Sequence, residues 1–287
     1  MSEIYDADAD IAAIREAASL LRDDPNRKGS VISFGLAGQL VVTGDMHGNL
    51  RNFEKLERFC QLQRNPARYV ILHELIHSEV DVPGKLDLSI DLLVRACRWK
   101  VEFPDNVFFL QSNHEMAQLR RQEITKGGRS VLHDFEAGIA HRYGRRTADV
   151  LAAVDEYIAA LPLAARTSNG FMICHSLPDP LLMESFDTSI FDRIPNAIDM
   201  TPGGAAYALV WGRFQSPQAV DYFAARLGVE YFVVGHTPQE FGYTIVGGRM
   251  IILASDHNHG AFLPIDLNKK HTIDELQWSI RKFVGVE

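Results

Sequence analysis

Six short segments of the chain carry the residue types that bind metal ions and phosphate. They lie at residues 44–49, 73–77, 113–115, 175, 211–213 and 235–238. Several follow short apolar runs that are typical of buried strands, so their side chains would meet at one edge of a sheet. Carboxylate, amide and imidazole ligands gathered at such an edge suit two divalent metal ions and the hydrolysis of a phosphoester.

Asp45 and His47 form the first pair of candidate metal ligands. They are two residues apart just past the β-branched run at residues 40–43, so in extended backbone both side chains leave on the same side. Glycines on either side allow the chain to turn sharply. The alternative is a simple turn in which the aspartate caps neighbouring backbone groups.

Asn113 and His114 combine a neutral amide oxygen, which suits a divalent metal, with an imidazole of near-neutral pKa. Such an imidazole suits proton donation to a leaving oxygen. The same residues also fit a helix N-cap followed by an incidental histidine. Both interpretations are consistent with the sequence.

Three further residues complete the candidate site. His175 and His236 each follow an apolar run and are borderline metal ligands, although a histidine there would also suit a hydrogen bond to a loop carbonyl. Arg213 offers parallel donors to two phosphate oxygens, or is a surface arginine beside a packed Trp211. The joint order of all six segments favours the functional interpretation.

Composition and charge exclude several classes of protein. The 287 residues are 46% hydrophobic and 23% charged, the balance of a soluble globular protein with a full core. A formal net charge of −8 argues against a broad basic surface for nucleic acid or an anionic membrane. Any bound anion must therefore be held by a local cluster of cations or metals.

The cellular setting is predicted from cysteines and apolar runs. Three cysteines are too few for a disulfide framework and fit a reduced compartment. The first ten residues are acidic where a signal peptide would be basic, and no apolar run is long enough for a transmembrane helix. We predict a cytoplasmic protein with neither membrane nor nucleic acid as a partner.

The pattern of apolar residues predicts the elements that position the six segments. Helices are expected at residues 11–21, from the Asn49 cap to about 63, and at 86–100, with strands at 40–43, 69–72 and 107–110. This alternation predicts crossover units with a mainly parallel sheet. A helical middle to about residue 160, interrupted near 126–128, precedes short strands at 171–174, 231–234, 243–246, 250–253 and 261–265.

One domain over residues 1–287 is predicted, because ligands from both halves must converge on one site. Residues 1–30 would form an N-terminal helical extension. Residues 177–204, rich in Asp, Pro and Ser, are either an active-site flap or an ordinary surface loop.

Taken together, the segments resemble the calcineurin-like metallophosphoesterases, and within them the phosphoprotein phosphatase branch with its bacterial and diadenosine-tetraphosphatase-like members. The resemblance runs over residues 40–266 and is most specific at Gly-Asp-x-His-Gly, Asn-His-Glu and Gly-His-Thr-Pro. It implies an α/β fold, a metallophosphatase-type sandwich of two mixed sheets flanked by helices, with a two-metal centre at the strand ends.

The resemblance also implies a role for each residue. Asp45, His47 and His236 would bind one divalent ion, Asn113 and His175 the other, and Glu74 would bridge them; the ions would be manganese, iron or zinc. A hydroxide between the metals would attack phosphorus while His114 acts as the general acid. Arg213 and Asn113 would bind the substrate, a phosphorylated protein or a small phosphoester.

The family's second motif, Gly-Asp-x-x-Asp-Arg-Gly, is altered in this chain. Glu74 replaces the bridging aspartate and adds one methylene. His77 replaces the aspartate that orients the catalytic histidine, so it can accept a hydrogen bond from His114 but cannot stabilise an imidazolium. Ser78 replaces a phosphate-binding arginine. His73, His77, His257 and His259 would make a nitrogen-rich metal site, or only some of them approach the centre.

We therefore predict a dinuclear-metal phosphatase most like a serine/threonine protein phosphatase. One alternative keeps the site but hydrolyses a nucleotide, such as a dinucleoside polyphosphate, or a phosphodiester. A second alternative is a catalytically impaired phosphatase-like binding protein, in which the altered second motif has removed the activity.

Overall fold

Two mixed β-sheets stacked face to face form the centre of the computed structural model, which describes residues 6–78 and 85–286. The strands are β1 (Arg27–Lys28), β2 (Val31–Phe34), β3 (Gln39–Asp45), β4 (Arg68–His73), β5 (Val107–Leu110), β6 (Thr125–Lys126), β7 (Arg129–Ser130), β8 (Ala164–Thr167), β9 (Phe171–Cys174), β10 (Tyr231–Val234), β11 (Tyr243–Val246), β12 (Met250–Leu253), β13 (Ala261–Asp266) and β14 (Arg281–Lys282). The helices are α1 (Ala7–Arg22), α2 (Leu50–Cys60), α3 (Ser89–Glu102), α4 (Asn113–Arg120), α5 (Val131–Tyr143), α6 (Thr147–Ala160), α7 (Ala205–Trp211), α8 (Pro217–Leu227) and α9 (Ile273–Ser279).

The first sheet has the strand order β14-β13-β3-β4-β5. Strands β3, β4 and β5 are parallel, and α2 and α3 make the crossovers between them. Every residue of β5 is buried, as expected for a parallel strand covered on both faces. The predicted crossover units and parallel pairing are confirmed for this sheet, while β13 and β14 join it in antiparallel fashion.

The second sheet has the order β1-β2-β8-β9-β10-β12-β11. Strands β9, β10 and β12 are parallel neighbours, whereas β8 runs antiparallel to β9 and β11 runs antiparallel to β12. On its other side β8 is parallel to β2. Because β9 and β10 end at the same edge, the histidines that follow them are brought together.

The apolar core lies in three layers. Side chains of both sheets interdigitate between them, including Val42, Ile71 and Phe108 from one sheet and Ile173 and Val233 from the other. Helices α1, α2, α3, α5 and α6 cover the outer face of the first sheet, and α7 and α8 cover the second. The predicted sandwich of two mixed sheets flanked by helices is confirmed. Every helix in the described ranges is too short or too polar to cross a bilayer.

Local capping explains where the helix bounds depart from those predicted. Asn49 caps α2 as predicted, but Gln61 takes a left-handed conformation with φ 41° and ends that helix early. Helix α3 begins three residues late, because the Asp87 carboxylate accepts the Ser89 N–H at 2.9 Å and turns the chain there. The predicted interruption near residues 126–128 is a hairpin of β6 and β7, whose turn places Gly127 and Gly128 at positive φ.

Helix α1 is integrated into the helical layer. The buried Asp10 carboxylate accepts hydrogen bonds from Arg98 of α3 at 2.5 Å and from the Tyr143 hydroxyl of α5 at 2.9 Å. The apolar face of the helix, including Ile14 and Leu21, is fully buried. Residues 1–5 of the predicted extension, and residues 79–84 and 287 of the predicted domain, lie outside the described residues.

The segment at residues 177–204 is anchored to the second sheet and its helices. Phe186 and Ile190 are buried in the core of that half, and the Arg226 guanidinium donates to the Phe186 carbonyl at 2.8 Å. Arg193 and Asp199 form an ion pair within the segment, with Nη2 and Oδ1 2.7 Å apart. These contacts favour an anchored surface loop over a moving flap.

Candidate metal centre and active site

The predicted site residues meet at the ends of strands from both sheets. Asp45 ends β3, Glu74 follows β4, and Asn113 begins α4 three residues after β5. From the second sheet, His175 follows β9 and His236 comes two residues after β10. Asp45 also pairs with Ala254 in an isolated parallel bridge, which joins the sheets beside the site.

The turn after β3 directs His47 toward Glu74. His47 lies at φ 42° and the following Gly48 at φ 73°, so the chain reverses within two residues. The His47 Nδ1 lies 3.2 Å from the Ile76 carbonyl oxygen. Its Nε2 therefore faces the Glu74 Oε1 at 2.9 Å.

The Glu74 carboxylate lies between two groups of candidate ligands. Its Oε1 is near the His47 Nε2, and its Oε2 lies 3.0 Å from the Nε2 of His175. The backbone of Glu74 is left-handed, with φ 43°. One carboxylate thus faces both groups, as a bridging ligand must.

The second group consists of Asn113, His175 and His236. The Asn113 Oδ1 lies 2.7 Å from the His175 Nε2 and 2.9 Å from the His236 Nδ1, and the two ring nitrogens are 3.2 Å apart. The sequence-based assignment placed His236 with Asp45 and His47. In the structure the ring of His236 joins Asn113 and His175, and only its backbone N–H contacts Asp45, donating to Oδ2 at 2.7 Å.

The donor atoms of these residues fit a cation better than they fit one another. Three atoms that can accept surround the His175 Nε2, namely the oxygens of Glu74 and Asn113 and the Nδ1 of His236, and one N–H satisfies at most one of them. In the described part of the chain, Asp45 Oδ1, Glu74 Oε2 and His236 Nε2 are buried without a hydrogen-bond partner. Mixed oxygen and imidazole donors are typical of zinc, iron and manganese sites.

Burial and close contact shift the pKa values of the site in opposite directions. Burial, with help from Glu74, raises the pKa of Asp45 to about 7. Burial would also raise the pKa of Glu74, but the imidazoles of His114, His47 and His175 outweigh it and hold that pKa well below its usual range. For His47, burial is outweighed by Glu74 and Asp45, and its pKa rises to about 10. The Glu74 carboxylate is therefore the fixed negative charge of the centre.

His77 holds His114 as predicted, with their Nδ1 atoms 2.9 Å apart. The His77 Nε2 lies 3.0 Å from the Gln118 Oε1, and the amide nitrogen of Gln118 donates to Glu136. Because the Gln118 oxygen can only accept, His77 carries its proton on Nε2. The Nδ1 of neutral His77 then accepts from His114, whose Nε2 lies 3.6 Å from the Glu74 Oε1. Burial lowers the pKa of His114 to about 3, so its ring is neutral and its Nε2 lone pair faces the centre.

The altered second motif has its own hydrogen-bond network. The Ser78 hydroxyl donates to the Asp87 Oδ1 at 2.7 Å, and the Ser89 Oγ accepts the His77 N–H at 3.0 Å. A side chain at Gly48 would meet the Cβ of Ser78 at 2.9 Å and that of Ser89 at 2.8 Å. Ser78 is thus packed against the turn after β3 and hydrogen-bonded to Asp87.

Glu115 is a positioning residue that the sequence interpretation missed. Its Oε1 accepts the Leu75 N–H at 2.8 Å, which ties the start of α4 to the turn that carries Glu74. The Ser112 hydroxyl donates to the other carboxylate oxygen. The Ser-x-x-Glu spacing is a capping-box pattern that marks this helix start, but it does not reveal that the carboxylate turns toward Leu75.

Arg213 lies beside the centre, just past α7. Its backbone N–H donates to the Asp179 Oδ1 at 2.7 Å, and its charge contributes, after burial, to lowering the pKa of His236 to about 2. Among the described residues its guanidinium has no hydrogen-bond partner. The side chain is therefore available to an anion at the site.

The four histidines of the predicted nitrogen-rich site divide into two pairs. His73 and His77 lie within the centre, fully buried or nearly so. His257 places its Nε2 2.9 Å from the Gln239 carbonyl oxygen, and His259 is exposed. Only part of the histidine-rich sequence therefore reaches the cluster.

A groove of about 680 Å³ opens beside His47. Its walls come from the turn after β3, the start of α3 and the loop after β12, with Ser78, Ser89 and Asp256 among the lining residues. The candidate centre is thus reached from the surface on the side of the altered motif.

Comparisons with known proteins show which phosphatases the chain is similar to. The chain is 23% identical over 289 residues to the serine/threonine-protein phosphatase rdgC of Drosophila melanogaster, covering 88% of this chain and 41% of that protein. The chain thus spans less than half the length of that curated relative.

Two solved structures are similar in fold. A protein serine/threonine phosphatase from Saccharomyces cerevisiae with similarity to human phosphatase PP5 has a TM-score of 0.70 at 18% identity, over 91% of this chain and 83% of that chain. A cold-active protein-tyrosine phosphatase of a psychrophilic Shewanella species has a TM-score of 0.61 at 13% identity, over 92% and 84% of the chains. At these identities the likeness is one of fold.

The sequence of residues 38–240 matches the calcineurin-like phosphoesterase family. This range includes all six segments from which the site was predicted, and it spans most of the chain. The chain belongs to the calcineurin-like phosphoesterase family.

Proposed function

We propose that this protein is a metal-dependent phosphatase that acts on phosphomonoesters, most like a serine/threonine protein phosphatase. The observation that carries the proposal is the Glu74 carboxylate, which faces His47 with one oxygen and His175 with the other. A carboxylate in that position is suited to hold two cations side by side. Family membership supports the same reaction class.

The donor positions suggest how two ions would be held. Asp45, His47 and Glu74 would bind one, and Glu74, Asn113, His175 and His236 the other. Manganese, iron or zinc suits these oxygen and nitrogen donors. When bound, such ions lower the pKa of water to near neutrality and neutralise charge on the phosphoryl group.

The chain's own residues would bind the substrate and move its proton. Arg213 would offer its guanidinium fork to the phosphoryl oxygens. The amide of Asn113, which contacts His175 and His236, would also face the substrate. His114 would deliver a proton from Nε2 to the leaving oxygen, while His77 holds its Nδ1 at 2.9 Å. Because His77 is neutral, it orients His114 without favouring the cationic form that donates. The rate should therefore fall as the leaving group becomes poorer, so a serine or threonine phosphoester, once bound, should react more slowly than p-nitrophenyl phosphate.

A phosphorylated protein segment is the substrate we favour. Each of the two segments that meet at the Arg213 backbone carries an exposed apolar side chain: Phe214, which is 90% exposed, and Leu181, which is 94% exposed. The Asp179–Arg213 hydrogen bond joins the loops that carry them. Apolar groups around a phosphate-binding arginine suit the residues on either side of a phosphoserine or phosphothreonine. We propose that the reaction takes place in the cytoplasm.

Metal reconstitution tests the proposed activity. Metal-free protein should regain hydrolysis of p-nitrophenyl phosphate on addition of Mn²⁺, and Asp45→Asn should abolish both tight metal binding and turnover. Asp221→Asn, at a surface carboxylate paired with Arg249, is the matched control and should behave as wild type. Full activity in Asp45→Asn would refute the proposal that this centre binds metal and catalyses the reaction.

A phosphoester-binding protein without turnover is the second candidate. The observation in its favour is the Ser78–Asp87 hydrogen bond, which stands where the family has a phosphate-binding arginine. Metal content without turnover on phosphopeptides, diadenosine tetraphosphate and phosphodiesters would support it. Recovery of activity in the combined variant Glu74→Asp, His77→Asp and Ser78→Arg would then identify the altered motif as the cause.

A further inference from the structure

His73 is a buried imidazole with no hydrogen-bond partner in the described ranges. It ends β4 directly before Glu74, its side chain is 0% exposed, and both ring nitrogens are unpartnered. The family motif has a glycine at this position. A buried polar group left unsatisfied costs about 1–3 kcal/mol, so a histidine here requires a partner that the described residues do not supply.

Two further unpartnered atoms lie next to His73. Asp45 Oδ1 and His175 Nδ1 are 3.5 Å apart, and each is buried without a hydrogen bond to the described residues. A ligand atom of each of His73, Asp45 and His175 lies within 4.8 Å of the other two. The rings of His73 and His175 have their centroids 6.1 Å apart. Three residues thus direct unsatisfied donor atoms into one small buried space.

The spacing of these atoms suits a shared cation. Ligands held at about 2.1 Å from a metal lie roughly 3–4 Å from each other. The 3.5 Å between Asp45 Oδ1 and His175 Nδ1 falls in this range, and His73 has a ligand atom within 4.8 Å of both residues. Direct hydrogen bonds would instead bring the atoms within about 3.2 Å. Imidazole nitrogen together with carboxylate oxygen is also a donor set typical of zinc and other borderline divalent ions.

We propose that His73 is an additional metal ligand of this centre: it joins Asp45 at the first ion, while the Nε2 of His175 binds the second. The inference rests on the proposed metal centre and goes beyond it. The chain binds its metal with one more imidazole nitrogen than the family motif provides. The nitrogen-rich set favours zinc, iron or cobalt over magnesium.

Cobalt binding and a count of imidazole ligands test this role without relying on catalysis. Metal-free protein is titrated with Co²⁺, followed by the visible absorption of the bound ion, and zinc-loaded protein is measured by X-ray absorption. His73→Leu fills the same space without a nitrogen, and His73→Gly restores the family residue. His271→Leu is the matched control, a buried histidine whose Nε2 lies 2.7 Å from the Asp266 carbonyl, away from the site.

Both His73 variants should bind one Co²⁺ at least about tenfold more weakly, since even residues behind metal ligands contribute that much. The cobalt spectrum should change, and the imidazole count for zinc should fall. His271→Leu should match wild type, and circular dichroism should show that all variants fold.

The outcomes separate the inference from the proposed function. Unchanged cobalt affinity, spectrum and imidazole count in folded His73→Leu and His73→Gly would overturn the role of His73 and leave the centre standing. Wild-type protein that binds no cobalt or zinc at all would overturn the metal centre itself, and the role of His73 with it.

Discussion

Replacing His77 by aspartate should make His114 a better proton donor. His77 lies 2.9 Å from His114 and has left-handed backbone with φ 62°. Aspartate tolerates that conformation better than most residues, so the change should not disturb the turn. It replaces a neutral acceptor with a negative charge at the Nδ1 of His114.

The expected magnitude follows from the environment of His114. Burial holds its pKa at about 3, so at pH 7 only about one ring in 10⁴ is cationic. A carboxylate within hydrogen-bonding distance raises the pKa of an imidazole by roughly 1–3 units. The donating form should therefore become about 10 to 1,000 times more abundant in His77→Asp.

Two measurements follow the change. Turnover of phenyl phosphate should rise relative to turnover of p-nitrophenyl phosphate, because a poor leaving group depends more on the general acid. In ¹⁵N NMR spectra, the His114 ring should titrate at higher pH than in wild type. His77→Asn keeps a neutral polar side chain and should change neither quantity.

Three results would refute this reasoning. One is an unchanged ratio of the two substrates in folded His77→Asp. Another is an unchanged titration of His114. The third is an equal effect in His77→Asn, which would show that shape rather than charge governs the contact.

Two further predictions address metal placement and stability. At Gly235, an added Cβ would lie 2.2 Å from the Asp45 Oδ1, whereas ordinary contacts begin at 3.4 Å. Gly235→Ala should therefore displace the carboxylate by about 1 Å and lower turnover of p-nitrophenyl phosphate roughly 100-fold. Mass spectrometry should show that the variant has also lost bound metal. Gly35→Ala, at a position with no neighbour within 4 Å, is the control and should retain both. Burial lowers the pKa of Lys100 to about 8, below its value in the unfolded chain. The buried charge therefore destabilises the fold at pH 8 and below, and stability recovers as the pH rises toward 10.5. Lys100→Met should remove this pH dependence. In urea unfolding, the difference in free energy of unfolding between Lys100→Met and wild type should shrink by about 3 kcal/mol from pH 8 to 10.5. Parallel curves of stability against pH for the two proteins would contradict the lowered pKa of Lys100.

The sequence predicts the location of the site because strand ends converge. Asp45, Glu74 and Asn113 follow β3, β4 and β5, and parallel strands carry such residues to one edge. The contact between His77 and His114 was also predictable, because the substituted residue keeps an acceptor where the family has one. Local sequence specified the Asn49 cap in the same direct way.

The sequence could not predict which candidate ligands lie next to each other. The grouping of His236 with Asn113 depends on how the two sheets stack, which involves residues far apart in the chain. The Glu115 contact to Leu75 depends on a side-chain rotamer at a helix start. The unsatisfied nitrogens of His73 are likewise a property of packing, because spacing along a strand does not show what faces a side chain.

Four residues of the candidate site have a backbone conformation that lowers the stability of the fold. His47, Glu74, His77 and His236 all hold positive φ, between 42° and 65°. Each such residue costs about 1–2 kcal/mol relative to ordinary backbone. Glycine at any of these positions would relieve the strain and remove a site side chain at the same time. Selection or engineering for thermostability alone would therefore act against the metal centre first, while the sandwich around it remained intact.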